Sequence, residues 1–207
     1  MKRSIVKSLC LAAVMVATSL PGWAEGPRIL LYIRDWSAAT DFMLSNEVGV
    51  MTNLLEDAGL QVVVVTSSGQ PVVGSTATLK ADLSLKEVTV SEYAGFLLPC
   101  MAAGAPGYIH PEAVEMVRAA GAAGKPVAAQ YGSVFTLSRA GLLTGRPYAF
   151  EWAAFSEGTY AGTGVVGDGS VFTSGTCPYK AAGTGRPDGT AELTRKLIEA
   201  VVSQGKH

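Results

Sequence analysis

Gly124-Lys-Pro-Val-Ala-Ala-Gln-Tyr131-Gly-Ser133-Val-Phe-Thr-Leu-Ser-Arg-Ala-Gly141-Leu-Leu-Thr-Gly-Arg146 is the stretch whose local structure settles the architecture. Pro126 to Gln130 is a short apolar run of the kind that forms a buried strand. Ser133 to Ala140 carries a helical pattern, and Gly141 supplies the residue that a helix end favours. No loop residue is left between strand and helix, so the chain must turn sharply with Tyr131 at the apex. Such elbows present one side chain above the sheet edge, where helix amides can meet an anion. In open α/β sheets, sites gather at the carboxyl ends of strands.

Outward from the elbow, strands and helices alternate. Arg28 to Ile33 and Leu60 to Thr66 read as buried parallel strands, the second strongly β-branched. Between them Leu44, Val48, Met51, Leu55 and Ala58 recur at steps of four and three, one helix face, and Gly59 ends it. Ala94 to Leu98 is another buried strand, and Pro111-Glu112 opens a helix to about Ala123. Residues 67–92 read as a hairpin or excursion. Tyr160 to Val166 and Ser170 to Thr173 read as strands around a Gly167-Asp168-Gly169 turn. Ala191 to Val202 is the last helix, capped by Asp188 or Thr190. This order predicts a single α/β domain over residues 25–207, with a mostly parallel sheet and helices on both faces, as in flavodoxin-like folds.

Composition narrows the partners. The chain has 207 residues, 48% hydrophobic and 16% charged, enough for a sizeable core and too apolar for a disordered chain. Its 24 glycines and 10 prolines follow no repeat, which excludes a collagen-like chain. A net charge of −1 gives no footprint for a phosphate backbone, so nucleic acid is not expected. Residues 1–24 read as a cleaved secretory signal. Lys2, Arg3 and Lys7 precede an apolar run from Leu9 to Leu20, Pro21 breaks it, and Gly22-Trp23-Ala24 offers small residues for cleavage. Cys10 lies ahead of the run and is no lipid acceptor, and the run is too short to span a bilayer. A periplasmic or extracellular location follows, with no membrane attachment after cleavage. The remaining chain carries 13 basic and 17 acidic side chains.

Few residues can do chemistry. Two cysteines remain, Cys100 and Cys177, in no CxxC spacing, and only two histidines exist, His110 and His207. No metal site is expected, and His110, just before Pro111, reads as a helix-capping position. Gly162-Thr-Gly164-Val-Val-Gly167 matches a dinucleotide fingerprint by letter, but a strand follows where a helix is needed. Gly121-Ala-Ala-Gly124-Lys125 lacks phosphate-loop spacing and is followed by Pro126. Both are turns, and no cofactor is expected.

The quoted stretch, with Phe96-Leu-Leu-Pro-Cys100 upstream, resembles the DJ-1/PfpI (ThiJ/PfpI) superfamily of glutamine-amidotransferase-like domains, over about Arg28 to Val202. That resemblance implies a nucleophilic Cys at the elbow, where this chain has Tyr131, and often a His after it, where it has Gly132. A Pro-Gly-Gly loop in such proteins reads Pro99-Cys100-Met101 here, and the helix glutamate falls on Glu47. Glu47, Cys100 and Tyr131 are thereby expected to approach one pocket, with Gly132, Ser133, Met101 and Cys177 in its walls. A phenol cannot replace a thiolate at neutral pH without strong activation. The favoured expectation is a secreted domain that has lost the thiol chemistry and binds a small molecule or partner at the elbow. The alternative is a divergent hydrolase, amidase or glyoxalase-like enzyme using Cys100 with Glu47. Cys100 is equally open to being a buried thiol or half of a Cys100–Cys177 disulfide. The resemblance also allows a homodimer.

Overall fold

The computed structural model describes residues 26–35, 39–102 and 109–206. The expected signal at residues 1–24 and His207 lie outside them. The chain runs β1 (Arg28–Ile33), α1 (Thr40–Met43), a π-helical turn (Leu44–Val48), α2 (Gly49–Asp57) and β2 (Gln61–Thr66). Three two-residue strands follow: β3 (Val72–Val73), β4 (Thr78–Leu79) and β5 (Leu83–Ser84). Then come β6 (Gly95–Leu98), α3 (Pro111–Ala122), β7 (Val127–Gln130) and α4 (Val134–Arg139). β8 (Pro147–Tyr148), β9 (Thr159–Tyr160), β10 (Val165–Asp168) and β11 (Val171–Ser174) precede α5 (Pro178–Thr184) and α6 (Thr190–Gln204).

Seven strands form one sheet in the order β10-β11-β7-β6-β1-β2-β5. All neighbours are parallel except the β10–β11 hairpin. The two-residue period of a strand divides the apolar runs between two cores. Leu30 and Tyr32 of β1, Phe96 and Leu98 of β6, and Val127 and Ala129 of β7 meet α3 and α4. Ile29, Leu31, Ile33, Leu97 and Ala128 face the opposite way, against α2 and α6. Each fully buried aliphatic side chain contributes about 1.5–3 kcal/mol, which is why strands with no polar face form here. The sheet is thus mostly parallel and covered on both faces, as the order of elements implied.

Glycines close the helices as expected. Gly59 has φ 75° and Gly141 has φ 79°, the left-handed conformation that ends a helix cheaply only in glycine. Leu60 N–H reaches back to Leu55 O at 3.0 Å, and Leu142 N–H to Leu137 O at 2.9 Å. Four details differ from expectation. The hairpin turn falls at residues 169–170, with Asp168 still paired in β10. Tyr160 belongs to a separate ribbon with Tyr148, because two extra glycines, Gly162 and Gly164, interrupt the run. The elbow helix starts with a tight 3-10 turn, Tyr131–Ser133. Helix α5 was not foreseen, although Pro178 at its start is the usual opening signal.

Long-range polar ties fix the irregular parts. Asp41 in α1 accepts the N–H groups of Ser75 (2.9 Å), Thr76 (2.9 Å) and Ala77 (3.0 Å), pinning the β3–β4 ribbon. These amides hold its carboxyl down at about 2, from an ordinary 3.8. A lowered folded-state pKa means the tie is fully present above pH 3.8 and lost as pH falls through about 2. Asp41→Ala is expected to speed amide exchange at residues 75–77 about tenfold or more. In the parent protein, NMR shifts of those amides should titrate near pH 2 rather than near 4. A midpoint in the ordinary carboxylate range would contradict the tie.

Candidate functional site

The carboxyl ends of β1, β6 and β7 meet where the connection after β1 runs toward β2 and the connection after β6 runs the other way, toward β7. Open α/β sheets form a crevice at such a point. Three contacts hold the Pro99–Met101 corner into it. Ser133 Oγ donates to Pro99 O, Arg34 N–H donates to Met101 O at 3.3 Å, and Glu47 accepts two amides. Glu47 Oε1 takes the N–H of Cys100 at 2.6 Å, and Oε2 takes that of Met101 at 3.3 Å. Glu47 has no exposed surface. Burial, reinforced by the neighbouring Cys177, pushes its carboxyl well above the usual range.

Cys100 and Cys177 stand on either side of the β7 elbow, after β6 and β11 respectively. Both are free thiols; Cys177 is fully buried and Cys100 keeps partial exposure. Both pack in the same core against α2 and α6. Cys177, then burial and Glu47, push the Cys100 thiol well up. Cys177 is pulled down by Cys100 and by the amides of Lys180 and Tyr179 in the first turn of α5.

Tyr131 sits above this pair with φ 46°, a left-handed backbone that a bulky residue rarely adopts. Its ring packs on Phe150 with centroids 5.6 Å apart. Its hydroxyl donates to Glu151, and Lys180 Nζ lies 5.2 Å from the ring centre. Lys180 and Glu151 pair at 3.2 Å. Burial and the Glu151 contact push the phenol up to about 12, so it stays protonated. Burial works against the Glu151 carboxylate, but the hydrogen bonds from Tyr131 and Lys180 hold it below the usual range.

The structure thus gathers Glu47, Cys100, Met101, Gly132, Ser133 and Cys177 around one corner, with Tyr131 above them. Glu47 meets the backbone of Cys100 and Met101 rather than a thiol. Met101 is buried in the α2–α6 core, and Ser133 is fully buried. His110 occupies the N-cap position of α3 with Nδ1 3.6 Å from Glu112. Glu151 and Lys180 were not foreseen. Lys180 had a signal in Cys177-Pro178, which opens α5 and places Lys180 in its first turn; Glu151 had none. An open cavity of ≈ 540 Å³, lined by Phe42, Tyr179, Lys180 and Thr184 among others, adjoins the clamp through Lys180. Among the described residues no cluster of three or more His, Cys, Asp or Glu could hold a metal, and no helix is long and apolar enough to cross a membrane.

Residues 36–184 match the DJ-1/PfpI family, and the chain belongs to that family. No curated protein matches it. Among solved structures it is similar to a ThiJ/PfpI domain protein from Brachyspira murdochii, with a TM-score of 0.64 and 14% identity over 86% of this chain and 98% of that one. Drosophila melanogaster DJ-1beta gives 0.61 and 20% over 87% and 96%. A two-domain protein from Anabaena variabilis, with dj-1/thij/pfpi-like and ferritin-like domains, gives 0.57 and 24%, over 84% of this chain and 54% of that one. At these identities the likeness is one of fold.

The buried acid predicts a stability difference. Glu47→Gln keeps an acceptor in nearly the same shape and is expected to cost no more than about 1 kcal/mol near pH 5. Glu47→Ala leaves two buried amides unpaired and is expected to cost about 2–4 kcal/mol. Because the folded-state pKa is raised, the folded chain binds the extra proton, and stability falls as pH rises above 4.5. Denaturant unfolding at pH 5 and pH 8 should therefore show the parent losing ground against Glu47→Gln at the higher pH. A constant difference between the two would mean that Glu47 is ionised in the fold.

Proposed function

We propose that this chain is an exported DJ-1/PfpI-fold binding domain whose elbow has exchanged thiol chemistry for a polar clamp. Tyr131 carries the proposal. It keeps the left-handed elbow backbone, yet its hydroxyl is spent on Glu151 beside Lys180, and the phenol holds its proton. In the family pattern a nucleophilic Cys occupies this position, so the strained backbone presents a hydrogen-bonding group in place of a thiolate. Export rests on Lys2, Arg3 and Lys7 ahead of Leu9 to Leu20, with Gly22-Trp23-Ala24 as the cleavage point.

The ligand proposed is a small molecule with an apolar body and a neutral polar group. Phe42 and Tyr179 in the cavity wall are 40% and 58% exposed and offer ring surface for the apolar part. Lys180 can donate to the polar group and Glu151 can accept from it. Thiol hydrolysis by Cys100 with Glu47 as base is the weaker reading. The Glu47 carboxyl is taken up by two backbone amides, and its burial favours the protonated form.

Benzamide is a suitable probe, with a ring and a neutral amide. Saturation-transfer NMR is expected to show it on the parent protein, with the signal lost in Lys180→Met and in Tyr179→Ala. The parent should turn over neither methylglyoxal nor p-nitrophenyl acetate above the buffer rate. Turnover that disappears in Cys100→Ser would overturn the binding-domain reading and favour a thiol enzyme.

A further inference from the structure

The open cavity beside the clamp has a mixed lining. Phe42 of α1 and Tyr179 of α5 bring rings that are 40% and 58% exposed, and the rest is alanine and glycine apart from Lys180 and Thr184. Both polar side chains keep hydrogen-bonding capacity. Thr184 Oγ1 donates its proton to Lys180 O at 2.7 Å, which leaves the oxygen free to accept. Lys180 Nζ lies 3.2 Å from Glu151 Oε2, and an ammonium has further N–H groups to give.

Charge and shape narrow the ligand. Among the described residues of the lining, Lys180 alone is charged, and its partner Glu151 stands against it. An anion that approached Lys180 would meet the Glu151 carboxylate, and a cation that approached Glu151 would meet the Lys180 ammonium. A neutral molecule meets neither repulsion. Because the cavity is open, one side of the ligand stays in water. A flat aromatic molecule would leave an apolar face wet there, whereas a ring with hydroxyls around its rim keeps them hydrated. The volume, ≈ 540 Å³, falls within the range of about 300–1,000 Å³ usual for small-molecule sites.

We propose that this cavity binds a neutral pyranose sugar, with its C–H face on Phe42 and Tyr179 and two neighbouring hydroxyls on the Lys180–Glu151 pair. The inference deepens the binding-domain reading and rests on it. An aromatic face is electron-rich and attracts the weakly positive C–H groups of the sugar ring. Each sugar hydroxyl both donates and accepts, so one accepts from Lys180 Nζ while its neighbour donates to the Glu151 carboxylate. A third can donate to Thr184 Oγ1. A β-glucoside suits the site best, because its substituents are all equatorial and both faces of its ring are left to C–H groups.

The test is saturation-transfer NMR on the full chain with methyl β-D-glucopyranoside, and with benzamide as a separate probe. The glucoside is expected to receive saturation chiefly at its ring C–H protons, and benzamide is expected to displace it. Tyr179→Ala and Lys180→Met are each expected to weaken glucoside binding about tenfold or more. Tyr179 is more than half exposed, so its loss leaves the core intact. Benzamide bound with no glucoside signal would overturn the sugar assignment and leave the binding-domain reading standing, whereas silence from both probes would overturn the two together. A glucoside signal unchanged in both variants, or undisturbed by benzamide, would put the sugar elsewhere on the molecule and overturn the proposal.

Discussion

The backbone at Tyr131 is the constraint around which the rest of the molecule is arranged. Strand β7 and helix α4 are joined only by the three-residue turn Tyr131–Ser133, in which one non-glycine residue takes φ 46°, a conformation that costs about 1–3 kcal/mol. The flanking residues hold it there. Gln130 is fully buried, and its side-chain amide donates to Thr176 O and to Thr190 Oγ1, both at 2.8 Å. Ser133, on the other side, donates to Pro99 O. One contact ties the elbow to the start of α6 and the segment after β11, the other to the end of β6. The elbow thus sets where the corners after its neighbouring strands must lie.

Two polar centres result, one below the elbow and one above it. Below, Glu47, Cys100 and Cys177 share little solvent; burial pushes the Glu47 carboxyl up, and Cys177 and burial push the Cys100 thiol up. Above, Glu151 and Lys180 are partly exposed and keep opposite charges 3.2 Å apart. The same short helix serves both, because Tyr179 and Lys180 lend their amides downward while the Lys180 side chain reaches upward.

The scaffold is legible in the sequence because burial imposes a period. Ile29 to Ile33 and Val63 to Val65 can only be two-sided buried strands, and Met51 and Leu55 fall on one helix face. The elbow could be seen because only Tyr131 and Gly132 are left between Gln130 and Ser133 to turn the chain. The clamp could not. Glu151 lies in an irregular segment after β8 and Lys180 in a seven-residue helix, and only the tertiary fold brings either to Tyr131. The pairing of Glu47 with the Cys100 amide, rather than with its thiol, depends likewise on how the corner at Pro99 is folded.

Glu47 shows how local irregularity gives a buried acid its place. The π-helical turn Leu44–Val48 packs an extra residue into the helix, and Met43, Leu44, Glu47 and Val48 all turn inward. A carboxylate on that face would face a steep desolvation cost in an apolar core. Neutralisation removes most of that cost, and the amides of Cys100 and Met101 occupy the acceptor sites that remain. An apolar residue of similar size would fill the volume but leave those two amides unpaired, and the corner would lose its hold from the helix side. A carboxyl that favours its neutral form is therefore suited to the position as an acceptor for a tight turn.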